Sequence, residues 1–152
     1  MKKKKAADVM TEDVITVSPE MKIKEVSKLF TEKGISGAPV LEDDKLIGIV
    51  SGGDLIVKNE NVKFPNYVYF LDSVFYLDSF KEFEKDFKKI LEMKVADVMT
   101  TDIITVTPDD SIETVANLFI DKEIKRVPVT KDKQLVGIIT RADIIRYMSE
   151  DE

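Results

Sequence analysis

The sequence predicts an α+β fold built twice over, and three observations predict it. The stretch Leu46-Ile47-Gly48-Ile49-Val50-Ser51-Gly52-Gly53-Asp54 returns as Leu135-Val136-Gly137-Ile138-Ile139-Thr140-Arg141-Ala142-Asp143. The repeat is long: an offset of 89 positions, Pro19 to Pro108, holds without a gap to Ile56 and Ile145, and about half the paired residues are identical. Each copy also reads in the order helix stub, strand, helix, strand, strand, helix, which makes an α+β unit. Two copies of this length do not make a solenoid, so a pseudo-twofold pair sharing one core is expected.

The elements follow in order. Ala7-Asp8-Val9-Met10-Thr11 and Ala96-Asp97-Val98-Met99-Thr100 open the copies. Ile15 to Pro19 and Ile104 to Pro108 read as short extended segments closed by a proline that starts a turn. Next comes a helix, with its apolar stripe at Ile23, Val26, Leu29 and Phe30, matched by Ile112, Val115, Leu118 and Phe119. In the second copy Asp110 and Glu113 are spaced as a capping box. Ala38-Pro39-Val40-Leu41 and Val127-Pro128-Val129-Thr130 are each separated from the following strand by a charged turn, Glu42 to Lys45 or Lys131 to Gln134, which predicts a hairpin.

Residues 58–94 have no counterpart in the repeat, so the organisation is a first copy at 1–57, an insert at 58–94 and a second copy at 95–152, with the two copies forming one module. The insert crowds together Phe64, Tyr67, Tyr69, Phe70, Phe75 and Tyr76. Its second half places Phe80, Phe83, Phe87, Ile90 and Leu91 on one helical face, so a helical insert, read as a helical hairpin, is expected to pack on the repeats. The aromatic density also admits a lid over a ligand or a dimer contact.

Composition narrows the chemistry. With 152 residues and 43% hydrophobic content the chain can bury a core. Its apolar runs are too short to cross a bilayer, and Met1-Lys2-Lys3-Lys4-Lys5 has no apolar run behind it, so a cytoplasmic protein with no membrane partner is expected. The absence of Cys and His removes disulfides, thiolate metal sites, the usual general base and the commonest zinc ligand. No catalytic residue and no resident metal are therefore expected. A net charge of −6 argues against broad nucleic-acid affinity, and the leading lysines read as a solvated tail.

The chemistry falls on the repeated junction. Ser51 with Asp54, and Thr140 with Asp143, have the spacing of a helix N-cap, and that reading accounts for one copy taken alone. The surroundings add more. A strand end, a helix N-terminus and a carboxylate together suit a nucleoside phosphate, because the carboxylate can accept both hydroxyls of a ribose diol while first-turn N–H groups face phosphate oxygens. Both readings can hold at once.

The order Asp-Val-Met-Thr, Thr-Val-x-Pro, apolar-Pro-Val and Gly-apolar-apolar-Ser/Thr-x-x-Asp, met twice, resembles a tandem of CBS (cystathionine β-synthase) domains, the arrangement called a Bateman module. The resemblance covers Ala7 to Ile56 and Ala96 to Ile145. It implies two β-α-β-β-α motifs packed through their sheets, with clefts for adenosine-containing ligands and a regulatory rather than catalytic role. By position it implies ribose contacts from Asp54 and Asp143 and phosphate-side hydroxyls from Ser51 and Thr140. Adenine contacts, largely from backbone and apolar groups, would come from around Ile15, Thr16, Ala38, Pro39, Ile104, Thr105, Val127 and Pro128. The copies differ in charge: the second carries Lys125, Arg126 and Arg141 where the first has Ser36, Gly37 and Gly52, so the second is expected to handle phosphate.

The reading at this level is a regulatory module that senses an AMP, ADP or ATP class ligand, with Mg²⁺ or without, or else S-adenosylmethionine or another adenosyl ligand. It would act through homodimerisation or a regulated protein the sequence does not name. The alternative is a ligand-independent interaction module that uses the aromatic insert. A nucleotide hydrolase using Asp54 or Asp143 with Mg²⁺ lacks the acidic cluster or activated nucleophile to support it.

Overall fold

In a computed structural model the described residues are 3–52, 68–70, 73–75 and 80–150. For residues 68–70, 73–75, 80–83 and 86 the description is of the backbone. The elements are α1 (Ala6–Val9), α2 (Ile23–Lys33), β1 (Gly37–Glu42), β2 (Lys45–Ser51), β3 (Val68–Phe70), β4 (Ser73–Phe75), α3 (Phe80–Leu91), α4 (Val95–Val98), α5 (Ile112–Asp121), β5 (Arg126–Lys131), β6 (Gln134–Thr140) and α6 (Arg141–Glu150).

Both repeat hairpins form, β1 with β2 and β5 with β6. Their turns place two consecutive residues at positive φ, Asp43 and Asp44 at 49° and 63°, and Asp132 and Lys133 at 52° and 66°. That is the type I′ geometry whose twist matches the strands. The α2 stripe is buried at Ile23, Val26 and Phe30, and the helix ends at Gly34 in the left-handed region (φ 64°). The α5 stripe is buried at Ile112, Val115 and Phe119.

Three expectations change. The first strand of each copy shrinks to one parallel bridge, Val17 to Val40 and Val106 to Val129. Val17 spends its N–H on Pro39 O (3.0 Å) and its carbonyl on Leu41 N (2.9 Å), and Pro19 then turns the chain away. The cap of α5 is Ser111, whose Oγ accepts from Thr114 N at 3.1 Å, rather than Asp110. Asp110 instead closes the preceding turn by accepting from Thr107 N at 2.7 Å. In the insert the amphipathic helix forms as α3, and ahead of it β3 and β4 pair as a short antiparallel hairpin that the helical reading did not include. Of the aromatic residues on which a lid was expected, only Phe87 has its side chain among those described, and it packs against a core.

The chain forms two compact units, residues 1–15, 43–46 and 103–152, and residues 16–42 and 47–102. Neither unit coincides with a repeat copy, because each takes its stub from the other one. In the first unit Ala6, fully buried on α1, joins Val106, Val115, Phe119, Val127, Val129, Ile139 and Ile144. In the second, Val95 and Val98 of α4 join Val17, Ile23, Val26, Phe30, Val40 and Val50, and Ile90 of α3 completes that core, with Phe87 and Leu91 partly buried against it.

Backbone hydrogen bonds fix both stubs in repeat-equivalent ways. Ala6 N donates to Asp110 O (2.7 Å) as Val95 N does to Met21 O (2.9 Å). Thr11 and Ile138 exchange two bonds (2.9 and 3.0 Å), as Ile49 and Thr100 do (2.9 and 2.8 Å). Lys3, Lys4 and Lys5 are thereby held against the second copy rather than left as a tail: Lys5 meets Asp109 at 2.9 Å, Lys3 meets Glu113 at 3.7 Å, and Lys4 Nζ stands 4.4 Å from the centre of the Tyr147 ring. Lys94 meets Glu20 at 2.7 Å in the same way. These hydrogen bonds raise Lys5 and Lys94 above the ordinary lysine pKa and lower Asp109 below the ordinary aspartate one. The Lys5–Asp109 pair is therefore ionised from below the usual carboxylate range to above the usual lysine range, although at exposed sites both pairs contribute little.

The close approach of stub to strand explains two glycines. A Cβ on Gly137 would lie 2.5 Å from Met10 Sδ, 2.9 Å from its Cγ and 3.1 Å from its Cβ. A Cβ on Gly48 would lie 2.8 Å from Met99 Sδ and 3.0 Å from the Thr100 carbonyl oxygen. Either Gly→Ala change is expected to cost about 1–3 kcal/mol in urea unfolding. Trimming Met10 to Ala should relieve Gly137→Ala, with a coupling of about 1 kcal/mol or more in a double-mutant cycle. Met99→Ala should leave most of the Gly48→Ala cost in place, because backbone cannot swing aside. Additive effects at Gly137 and Met10 would show that the two do not touch.

Candidate functional site

The second copy's site residues gather at one end of the β5–β6 hairpin. Register places Arg126 directly opposite Thr140 and Val127 opposite Ile139. One residue further on, Arg141 N donates to Lys125 O at 3.4 Å, which ties the start of α6 to the residue before β5. Five of the expected residues, Lys125, Arg126, Thr140, Arg141 and Asp143, are thus brought to one strand end and one helix N-terminus. Lys125 and Arg141 are exposed, and Arg126 and Thr140 are half-buried.

Asp143 is the centre of this arrangement. At 6% exposure it is the one charged side chain buried among the described residues. Its Oδ2 accepts from Thr140 N (2.8 Å) and from the Thr140 hydroxyl (3.0 Å), while Asp143 N donates weakly back to Thr140 Oγ1 (3.4 Å). The capping reading is therefore realised in the second copy, and the helix N-terminus favours the negative charge. Its Oδ1 accepts from Arg146 Nη2 at 2.7 Å. The sequence reading passed over Arg146. The signal available was the Asp-x-x-Arg spacing one helical turn long, present only in the second copy, since the repeat-equivalent residue is Val57.

Two pockets flank α6. One, of about 210 Å³, is lined by Lys4, Asp8, Asp143, Arg146, Tyr147 and Glu150 among others, and is polar. The other, of about 390 Å³, lies between α5 and α6 and is apolar, lined by Phe119, Ile120, Ile144, Ile145 and Met148, with Glu123 and Arg141 as its charged members. Ile120, Ile145 and Met148 are 72%, 67% and 66% exposed.

Among the residues expected to meet adenine, Ala38 and Val127 are fully buried in the cores, and Pro39 and Pro128 are buried as well, so any contact from them is through backbone. Ile15, Thr16 and Ile104 are half-buried and Thr105 is exposed. In the first copy Ser51 is half-buried, and Gly52 N donates to Ser36 O at 3.1 Å, the counterpart of the Arg141 to Lys125 bond. Asp54 lies outside the described residues. No group of three or more acidic side chains that could hold a metal ion occurs among the described residues, and no helix among them is long and apolar enough to cross a membrane.

Comparison with known proteins gives the family and the fold. The family model for the CBS domain matches residues 6–59 and 95–150. The uncharacterized protein MJ1426 of Methanocaldococcus jannaschii is 37% identical over 150 residues, covering 93% of this chain and 89% of that one. Other relatives are longer: the chain spans 40% of MJ1232 from the same organism, at 31% identity. Among solved structures, CBSX2 of Arabidopsis thaliana in complex with AMP is 28% identical with a TM-score of 0.72, covering 97% of this chain and 98% of that one. The CBS domain pair of MJ0100 with 5′-methylthioadenosine and S-adenosyl-L-methionine shares the fold at 22% identity, with a TM-score of 0.72 and 99% of each chain covered.

Proposed function

The chain belongs to the CBS domain family, and from that premise we propose that it is a regulatory module that binds an adenosine-containing ligand of the AMP class at the Thr140–Asp143 junction. One observation carries the reading: a buried carboxylate at a helix N-terminus, with Lys125, Arg126 and Arg141 at the same end of the hairpin. A carboxylate is the acceptor that a ribose diol needs, and the guanidinium groups supply paired donors to phosphate oxygens. The AMP complex of CBSX2 supports the class. The charge supports a phosphorylated ligand over a neutral one.

Occupancy is transmitted through a second copy of the chain. The apolar pocket and the exposed Ile120, Ile145 and Met148 lie on one face made by α5 and α6, so the face can be its own complement across a twofold axis. Glu123 and Arg141 line the same pocket with opposite charge, and a twofold arrangement offers each the other's partner. Arg141 thereby belongs to both the phosphate end and the association face.

The test is thermal unfolding against AMP, ADP, ATP and S-adenosylmethionine, with guanine nucleotides as controls. A ligand at a hundred times its dissociation constant stabilises by about 2.7 kcal/mol, which for a chain of this size raises Tm by roughly 5–10 °C. Sedimentation of the parent and of Ile145→Asp, with and without that ligand, reads the association. No shift with any adenine ligand, together with a dimer that persists in Ile145→Asp, would overturn both halves of the proposal.

A further inference from the structure

Asp143 already has a partner where a ribose would bind. Oδ2 accepts two hydrogen bonds from Thr140, so Oδ1 is the oxygen with acceptor capacity to spare, and Arg146 holds it at 2.7 Å. A diol that offers two hydroxyls to this carboxylate has to take Oδ1, and the guanidinium stands in its way.

The two partners differ in freedom. The Asp143 side chain is 7% exposed and fixed by Thr140, whereas that of Arg146 is 60% exposed. Arg146 also has somewhere to go. Asp8 and Glu150 line the same polar pocket, and Glu150 lies four residues along α6 from Arg146. Both acids offer the guanidinium a new partner on one surface of the helix. Lys4, the other cation of the pocket, is held over Tyr147.

We propose that Arg146 is a latch, an internal competitor for the sugar diol at Asp143 that a ligand must displace and that re-pairs with Glu150 or Asp8 when it does. The inference rests on the nucleotide reading above and adds a regulation of the same site. It also separates the two copies by sequence: Val57 stands at the equivalent position in the first copy, where no side chain can form this ion pair. Because the latch is a partly exposed ion pair, salt loosens it, and a neutral ligand should bind the second copy more tightly as ionic strength rises. That direction is opposite to the one expected for a phosphate held by lysine and arginine.

Adenosine is the probe, since it carries the diol and no charge. Titration calorimetry of the full chain should show Arg146→Val binding adenosine about tenfold more tightly than the parent, a change of about 1.4 kcal/mol. The parent's affinity should rise between 50 mM and 1 M salt by roughly the same factor, and the variant's should stay flat. Arg146→Gln, which keeps a donor near Oδ1 without the charge, should fall between them and serves if the valine variant does not fold. If Arg146→Val binds adenosine equally or more weakly while Asp143→Asn abolishes binding, the latch falls and the ligand reading stands. If AMP binds the parent while adenosine binds neither the parent nor either arginine variant, the latch falls and the ligand reading stands; if neither AMP nor adenosine binds, the ligand reading falls and the latch with it.

Discussion

Deleting residues 1–10 will loosen the second repeat copy and leave the first one intact. The deletion removes Ala6 from a core of second-copy residues, together with Val9 and Met10, which pack against that core. It also removes the bonds from Ala6 N to Asp110 O and from Ala7 N to Pro108 O, and the anchor that holds Thr11 against Ile138. Burial and hydrogen-bond losses together come to about 5 kcal/mol, a large share of the stability of a domain this size. Hydrogen exchange reads the location. Amides of β5, β6 and α5 should lose protection, while those of α2 and β1 keep theirs. Loss centred on α2 and β1 would mean that the stub belongs to its own copy.

That outcome is the part of the fold least legible in the sequence. The helix stripes, the two hairpins and the repeat are written in local periodicity, and local periodicity is what a sequence displays. Ala7 to Thr11 looks like the opening of the copy that follows it, because it sits beside that copy in the chain. Its packing is decided by one buried alanine and a handful of backbone bonds to residues about a hundred positions away. Neither leaves a pattern in side-chain type. The shrinkage of the first strands is similarly a backbone matter, set by Val17 bonding both sides of Pro39–Val40 before Pro19 intervenes. At the site the sequence showed Thr140 and Asp143 because hydroxyl and acid recur at a fixed spacing. It hid Arg146 because an arginine on an exposed helix surface looks like solvent-facing charge until its partner is known to be buried.

Replacing Asp143 should produce the second largest effect, and two variants divide it into a structural and a binding share. Asp143→Ala leaves Thr140 N–H, the Thr140 hydroxyl and Arg146 without their acceptor, at a cost of about 2–3 kcal/mol from the lost cap and the unpaired donor. It should also weaken the adenine ligand at least about 100-fold, since hydrogen bonds to a carboxylate contribute about 1.5–3 kcal/mol each. Asp143→Asn keeps the shape and one acceptor oxygen for Thr140, and Arg146 is exposed enough to turn away from the amide. This variant should retain most of the stability and still lose the ligand, because only the carboxylate offers acceptors on both oxygens. Urea unfolding and calorimetry on the same samples separate the two shares. An asparagine variant that binds AMP as tightly as the parent would remove Asp143 from the ligand site.

The exchange of stubs also sets a timetable for the growing chain. Residues 16–102 contain everything the second unit needs, so that unit is complete once Asp102 has left the ribosome. Lys5 to Thr11 emerge before that unit but must wait for Ile104 to Ile144 before their cavity exists. At elongation rates of about 5–20 residues per second that interval is roughly 7–27 seconds. During it the α1 turn is an orphan, exposed with Ala6, Val9 and Met10 unpaired. The lysines that surround it, Lys2 to Lys5, keep this waiting segment in water until its partner is made.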